Sequence, residues 1–257
     1  MQEKRPRQRL QRILAAAGLC SRREAERWLA EGRVRVNGRL AAVGESADPA
    51  ADRIEVDGRR VAAEPLAYWM ANKPRGVLTT RRDPEGRQTV LQLLPAGVPR
   101  LFPVGRLDAD TEGLVLLTND GALAHRLLHP SLGSEREYRV AVRGRVAPET
   151  FRRIERGVVL DDGPTAPCRV ARAGYDEKAG ATRFVLVLTE GRKRQIRRTL
   201  AALGHPVLAL VRTRIGTLRL GRLARAAARP LSPEELRSLR AHAASLRPTP
   251  APARRRV

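Results

Sequence analysis

Residues 105–121 constrain this chain more than any other stretch; they read GRLDADTEGLVLLTNDG. Two carboxylates, Asp108 and Asp110, follow Arg106 on a loop. The apolar run Leu114-Val115-Leu116-Leu117 comes next and predicts a buried strand. Asn119, Asp120 and Gly121 then turn the chain, with Asp120 as a cap or turn residue, and 122–128 reads as a helix stopped by His129-Pro130. Polar carboxylates on a loop anchored by a buried strand are how a fold holds a reactive group rigidly. The chain carries 50 basic against 27 acidic residues, a net charge of +23. Acid concentrated on one tight loop of so basic a chain asks for a functional reason.

The excess of positive charge implies a polyanionic partner, with nucleic acid first. Lysine occurs only at Lys4, Lys73, Lys178 and Lys193, so nearly all the charge is arginine. Arginine forks onto phosphates and stacks on bases, although a GC-rich coding sequence gives the same bias. The 257 residues suffice for one large domain or two smaller ones. Only 3% are aromatic against 42% apolar overall, so the core must be built from Leu, Val, Ile and Ala. Two cysteines, Cys20 and Cys168, are too few for a disulfide framework and read as small buried residues in a reducing cytosol. No apolar run has membrane-spanning length, and the basic start MQEKRPRQR leads into no long apolar segment. The expectation is a cytoplasmic protein with no membrane contact, and a monomer.

Residues 7–66 read as a separate small domain. Leu10, Ile13, Leu14 and Ala17 share one helical face, and Gly18 stops that helix. Ser21-Arg22-Arg23-Glu24 predicts a capping box and a second helix ending near Gly32. Val34 to Val36 alternates like a strand into the hairpin turn Asn37-Gly38, and a second short pair surrounds Asp57-Gly58. A linker punctuated by Pro65 leads to a strand at 68–71, a turn at Asn72-Lys73-Pro74-Arg75-Gly76, and a strand at 77–79. Strands follow at 137–142, 158–160, 168–173 and 184–188, with a helix at 148–157. Many strands with few short helices predict an α+β fold with a mostly antiparallel sheet over 67–246. The segment GRKRQIRRTLAALGHPV packs five basic residues into 192–198. Ile196, Leu200 and Leu203 form its buried stripe, and Arg197, about 100° away on the wheel, is the arginine best placed to reach inward. Between 190 and 229 there are 11 basic residues against one acid, Glu190, the expected phosphate track. Ser232-Pro233-Glu234-Glu235 starts a last helix, and 247–257 reads as a disordered basic tail.

GRLD followed by T-x-G-L-x-L-x-T-x-D-G resembles the catalytic signature of bacterial rRNA pseudouridine synthases, both the type that modifies 16S rRNA and the type that modifies 23S rRNA. SRREAERWLAEGRVRVNG is similar to the α-L RNA-binding motif of ribosomal protein S-four type. The loop Arg82-Asp83-Pro84-Glu85-Gly86-Arg87 and the run Asp162-Gly163-Pro164-Thr165-Ala166 look more like the 23S type. The resemblance implies isomerisation of one uridine, in 23S rather than 16S rRNA, with no cofactor and no metal. Asp108 would be the nucleophile. Tyr138 would stack on the flipped base, and Arg197 would pair with Asp108 and keep it ionised. Contacts to RNA would come from Arg22, Arg23, Arg33, Lys73, Arg106, Arg192, Lys193, Arg194 and Arg198. Asp110 and Glu112 would be solvated or turn-forming.

Three other readings compete. Asp108-Ala109-Asp110-Thr111 fits the D-x-D-x-T pattern of Mg²⁺-dependent aspartate phosphatases, but Pro103-Val104-Gly105-Arg106 precedes it where a continuous buried strand belongs, and no paired downstream acid site completes a metal cage. His125 and His129 are four apart on a helix, a zinc spacing without a neighbouring Glu or a third ligand. A non-catalytic RNA-binding assembly factor would suit the amino-terminal module alone, yet a pure binder has no need of a carboxylate loop facing a basic channel.

Overall fold

In the computed structural model of the chain, which describes residues 7–248, the polypeptide divides into two units between Ala67 and Tyr68. The first holds β1 (Gln8–Arg9), α1 (Leu10–Ala16), α2 (Arg22–Ala30), β2 (Val34–Val36), β3 (Arg39–Leu40), β4 (Ser46–Ala47), β5 (Ile54–Val56) and β6 (Arg59–Arg60). Leu10, Ile13 and Leu14 bury the apolar face of α1. Ser21 caps α2, its Oγ accepting from the Glu24 amide at 3.1 Å. The reciprocal half of the expected capping box is replaced: the Glu24 carboxylate pairs with Arg27 one turn on. β3-β2-β5-β6 form an antiparallel sheet, and β1 pairs with β4. Both hairpins turn on two successive left-handed residues, Asn37-Gly38 at φ 53° and 81°, and Asp57-Gly58 at 49° and 77°. The Asn-Gly and Asp-Gly pairs are there because such turns need positive φ twice.

The second unit runs β7 (Tyr68–Lys73), β8 (Phe102–Pro103), β9 (Glu112–Thr118), α3 (Gly121–Leu128), β10 (Arg136–Arg143), α4 (Pro148–Arg156), β11 (Val159–Leu160) and β12 (Gly163–Pro164). β13 (Arg169–Asp176), β14 (Ala181–Leu188), α5 (Gln195–Ala202), β15 (Val207–Ile215), β16 (Leu218–Arg219), β17 (Ala228–Pro230) and α6 (Pro233–Ser245) complete it. One sheet has the order β13-β14-β10-β15-β9-β7-β17, with β16 added on β15 and β8 on β9. Its pairings are antiparallel except that of β15 with β9. The fold is therefore α+β with a mostly antiparallel sheet.

Leu114 to Leu117 are all fully buried, which is why β9 reads as an unbroken apolar run rather than an alternating one. Leu114 and Leu116 join Tyr68, Met70, Leu127 and Leu239 in one core beneath α3 and α6. Asp120 caps α3, its Oδ1 accepting from the Ala122 and Leu123 amides at 3.0 Å each, while its Oδ2 accepts from the Tyr68 hydroxyl at 2.8 Å. The parallel junction demands glycine at 113. Gly113 has φ 105°, and a Cβ there would lie 2.3 Å from the Arg212 carbonyl oxygen.

Three expectations change. Residues 77–79 make only a single bridge, Leu78 to Thr89, not a strand. β15, the long strand beside β9, replaces much of the anticipated phosphate track with sheet. Cys20 is buried, but Cys168 is only half-buried; its thiol donates to the Ile154 carbonyl at 3.1 Å. The expected basic tail lies, from residue 249 on, outside the described residues. No helix among the described residues is long and apolar enough to cross a membrane.

Candidate active site

The loop that links β8 to β9 is held by its own carbonyls. Thr79 Oγ1 donates to the Leu107 oxygen at 2.9 Å and accepts from the Leu107 amide at 3.2 Å. The Asp108 oxygen accepts from the Thr111 amide at 3.0 Å, and the Ala109 oxygen from the Gly76 amide at 2.7 Å. The Asp110 oxygen accepts from Arg197 Nη2 at 2.8 Å. Every carbonyl from 107 to 110 thus has a donor. The Asp108 carboxylate, by contrast, makes no side-chain hydrogen bond or ion pair among the described residues. A reactive group on a backbone fixed at each peptide is preorganised with its oxygens left free, while the charges of Lys73, Arg194 and Arg197 act on it from a distance.

Asp108 lines a cleft of about 610 Å³, and Tyr138 and Arg197 line it too. Tyr138, 9% exposed, stands on β10. Its backbone neighbours are Arg212 on β15 and Leu186 on β14. Arg106 and Lys193 are exposed at the cleft. Arg192 and Arg194 line it as well, whereas Arg198 does not.

Arg197 reaches inward, its side chain 15% exposed, but its partner is not the expected one. Its Nε lies 3.2 Å from Asp110 Oδ2. Arg194 adds a fork onto the same carboxylate, Nη1 to Oδ1 at 3.2 Å and Nη2 to Oδ2 at 2.9 Å. Asp110 is therefore the ion-paired carboxylate of the loop, not a solvated one. Burial opposes its ionisation, but the Arg194 hydrogen bonds and the charges of Arg197 and Arg194 outweigh burial and hold the carboxyl below its ordinary pKa. Two arginines already occupy Asp110, so it is not an open metal ligand. Among the described residues no three His, Cys, Asp or Glu side chains are grouped to hold a metal ion; the His125 and His129 rings lie 5.1 Å apart, tilted by 52°.

Lys73 does not stand on the surface where an RNA contact was expected. It is fully buried, and its Nζ donates to the carbonyls of Val77 at 2.6 Å, Pro74 at 3.0 Å and Ala109 at 3.3 Å. Burial pulls it down to about 8, against the attraction of Glu112, Asp110 and Asp108. The ammonium braces the carboxylate loop from behind. The basic run on α5 is also less free than its sequence implies. Arg192 and Arg198 both pair with Asp162, which their hydrogen bonds hold well below the usual carboxylate range. Arg33 forks onto Asp57 and lies 4.8 Å from the Trp28 ring centroid, so it ties the start of β2 to the β5–β6 turn and to α2. Arg22 and Arg23 are exposed on α2.

Sequence reading missed several residues here. Gln195, buried at the start of α5, accepts from the Arg192 amide at 3.1 Å and donates to Glu190 at 2.5 Å. Glu190 in turn accepts from the Ala166 amide at 2.8 Å, so the floor of the basic loop is stitched to the β12 region. Arg136, two residues before Tyr138, donates to the carbonyls of Leu127 at 3.0 Å and Thr189 at 3.4 Å. Arg212, only 2% exposed, lines the cleft from β15. The signal for β15 was present: Val207-Leu208-Ala209-Leu210-Val211 follows the turn at His205-Pro206, an apolar β-type run.

Comparison with known proteins agrees with this architecture. Residues 67–202 match the family model described as RNA pseudouridylate synthase, and residues 8–45 match the S4 domain. The chain is 40% identical over 234 residues to the ribosomal large subunit pseudouridine synthase B of Bacillus subtilis (strain 168), covering 91% of this chain and 96% of that protein. It is 46% identical over 236 residues to an uncharacterised RNA pseudouridine synthase of Mycobacterium leprae (strain TN), covering 90% and 91%. A crystal structure of a pseudouridylate synthase superposes with a TM-score of 0.65 at 30% identity, over 90% of this chain and 99% of that one. A rigid carboxylate loop in a basic cleft, an S4 domain before it and relatives along nearly the whole length agree on one assignment: the chain belongs to the RNA pseudouridylate synthase family.

Proposed function

We propose that this enzyme isomerises one uridine of 23S rRNA, with Asp108 as nucleophile and no cofactor. The single observation that carries the role of Asp108 is its carboxylate, without a hydrogen-bonded or ion-paired partner among the described residues, on a stretch whose carbonyls from 107 to 110 are all anchored, lining a cleft rich in arginines. The 23S target rests on the likeness to the Bacillus subtilis enzyme, whose name gives the large ribosomal subunit.

In this reading an Asp108 oxygen bonds to C1′ of the target ribose as the C1′–N1 bond breaks, leaving the electron pair on the detached uracil. The uracil turns within the cleft until C5 faces C1′. C5 then attacks C1′ and expels the carboxylate, the C5 proton leaves, and N1 gains one. No atom is lost, so the product is an isomer. Tyr138 offers the ring against which a flipped base stacks. Arg197 acts on Asp108 through the loop, holding the Asp110 carbonyl and carboxylate. Arg106 and Lys193 are placed to meet phosphates of the flanking strand.

Pseudouridine mapping of both rRNAs after incubation with the purified protein, without added metal, tests the reading. One new site in 23S rRNA is expected. A site confined to 16S rRNA would shift the target, and no site in any rRNA or precursor particle would overturn the function.

The S4 unit is assigned recruitment of rRNA through Arg22 and Arg23. The double variant Arg22→Ala/Arg23→Ala should weaken RNA binding and lower the slope of log K against log salt by about 1–2, since each lost phosphate contact removes close to one. Its rate at saturating RNA should match wild type. An unchanged salt slope in filter binding would make this face a passenger.

A further inference from the structure

Arg212 carries a donor that the protein leaves unused. Its Nε donates to the Leu114 carbonyl at 2.8 Å, which pins the guanidinium plane against β9. Its Nη2 is buried and has no hydrogen-bond partner among the described residues. The contrast with Arg136 is informative, because both Nη atoms of that neighbouring arginine find carbonyls. An unsatisfied buried donor is costly, and more so when it carries charge. A fold keeps such a group where something that enters the site supplies the acceptor.

The surroundings say what enters. Arg212 and Tyr138 are backbone neighbours on β15 and β10, and both line the cleft that holds Asp108. Arg212 is only 2% exposed, so what meets it must insert deep into the cleft, and a flat base entering edge-on does so more readily than a phosphate. A phosphate tethered in its strand meets Arg106 and Lys193 first, because these are exposed.

We infer that Arg212 Nη2 donates to a carbonyl oxygen of the target pyrimidine and stabilises the negative charge the base carries while detached from ribose. This role rests on the uridine isomerisation proposed above. When the C1′–N1 bond breaks, its electron pair spreads from N1 onto O2 and O4. A preorganised cationic donor at either oxygen lowers the barrier because the charge develops there. The ring geometry adds a second consequence. To exchange N1 for C5 opposite C1′, uracil turns by half a revolution about its N3···C6 axis. That turn also exchanges C2=O with C4=O. One fixed donor therefore holds one carbonyl before the turn and the other after it, and no side chain need move.

The test uses the full-length protein and RNA carrying uridine, 2-thiouridine or 4-thiouridine at the mapped position, in single-turnover assays. Sulfur accepts hydrogen bonds poorly, so both thio substrates should slow the wild type. Arg212→Gln should lower the rate at saturating RNA by about 100-fold with little change in Kd, as removal of one oxyanion donor does, and should respond to neither sulfur. Arg212→Lys, keeping the charge, should recover part of the rate. Wild-type rates indifferent to both sulfurs would overturn the role, whatever the variants do. So would a variant that binds RNA weakly yet turns over normally at saturation, which is the signature of a phosphate anchor. Absence of pseudouridine from wild type and unmodified RNA would overturn the function itself; turnover that ignores the sulfurs removes only Arg212.

Discussion

Asp108→Asn is expected to abolish pseudouridine formation, by more than about 10⁴-fold in single-turnover rate as for other lost nucleophiles, while the Kd for RNA stays within about threefold because phosphate contacts elsewhere dominate affinity. The amide matches the carboxylate in size, so the cleft keeps its shape. It lacks the charge and the nucleophilic oxygen. The native carboxylate makes no side-chain bond among the described residues, and the loop hangs on the Leu107, Asp108, Ala109 and Asp110 carbonyls. The thermal midpoint should therefore be unmoved. Asp110→Asn is the informative control: it removes the charge that Arg194 and Arg197 share, so it should weaken both loop positioning and turnover without eliminating chemistry. If Asp108→Asn retains activity while Asp110→Asn does not, the two carboxylates must exchange roles.

What was legible in the sequence was local. The run 114–117, the Asp120 cap and the Asn-Gly and Asp-Gly turns each depend on neighbours a few residues away. So does the final helix, where Ser232 Oγ accepts from the Glu235 amide at 3.2 Å and Glu235 returns the bond at 2.8 Å. What stayed hidden depends on partners far along the chain. The helical wheel gave the direction of Arg197 but not its acceptor, because Asp108 and Asp110 sit two residues apart on the same loop and only their backbone geometry decides which one faces α5. Arg212 and Arg214 made β15 look like part of a phosphate track. In the fold Arg214 meets Glu135 at 2.9 Å and Glu137 at 3.4 Å, acids some eighty residues earlier. Asp162 does the same to Arg192 and Arg198. Arginine counted along a sequence overstates the field that RNA meets, because the neutralising acids arrive by folding.

Lys73 is the sharpest such case, and Lys73→Met carries the second large expected effect, a loss of roughly 2–4 kcal/mol of folding stability. The substitution leaves the carbonyls of Pro74 and Val77 and part of the Ala109 bonding without their donor, each orphaned acceptor costing about 1–3 kcal/mol. The relief of no longer burying an ammonium offsets part of that. The pH dependence separates the two effects. Burial lowers the folded-state pKa of Lys73 from 10.5 to about 8, so between those values the unfolded chain holds a proton that the folded one has released. Stability of the wild type then rises with pH across that window, by up to about 1.4 kcal/mol per unit from this group. Below about pH 8 both states are protonated and the penalty is constant. Methionine has no proton to exchange, so the stability gap between wild type and Lys73→Met should widen as pH climbs from about 8 to 10. Urea unfolding of both proteins across that range reads it directly. Because the ammonium also braces Ala109, the variant should lose turnover even where it remains folded. A Lys73→Met protein of wild-type stability that binds RNA weakly would return this lysine to the RNA surface and leave the loop without its support from behind.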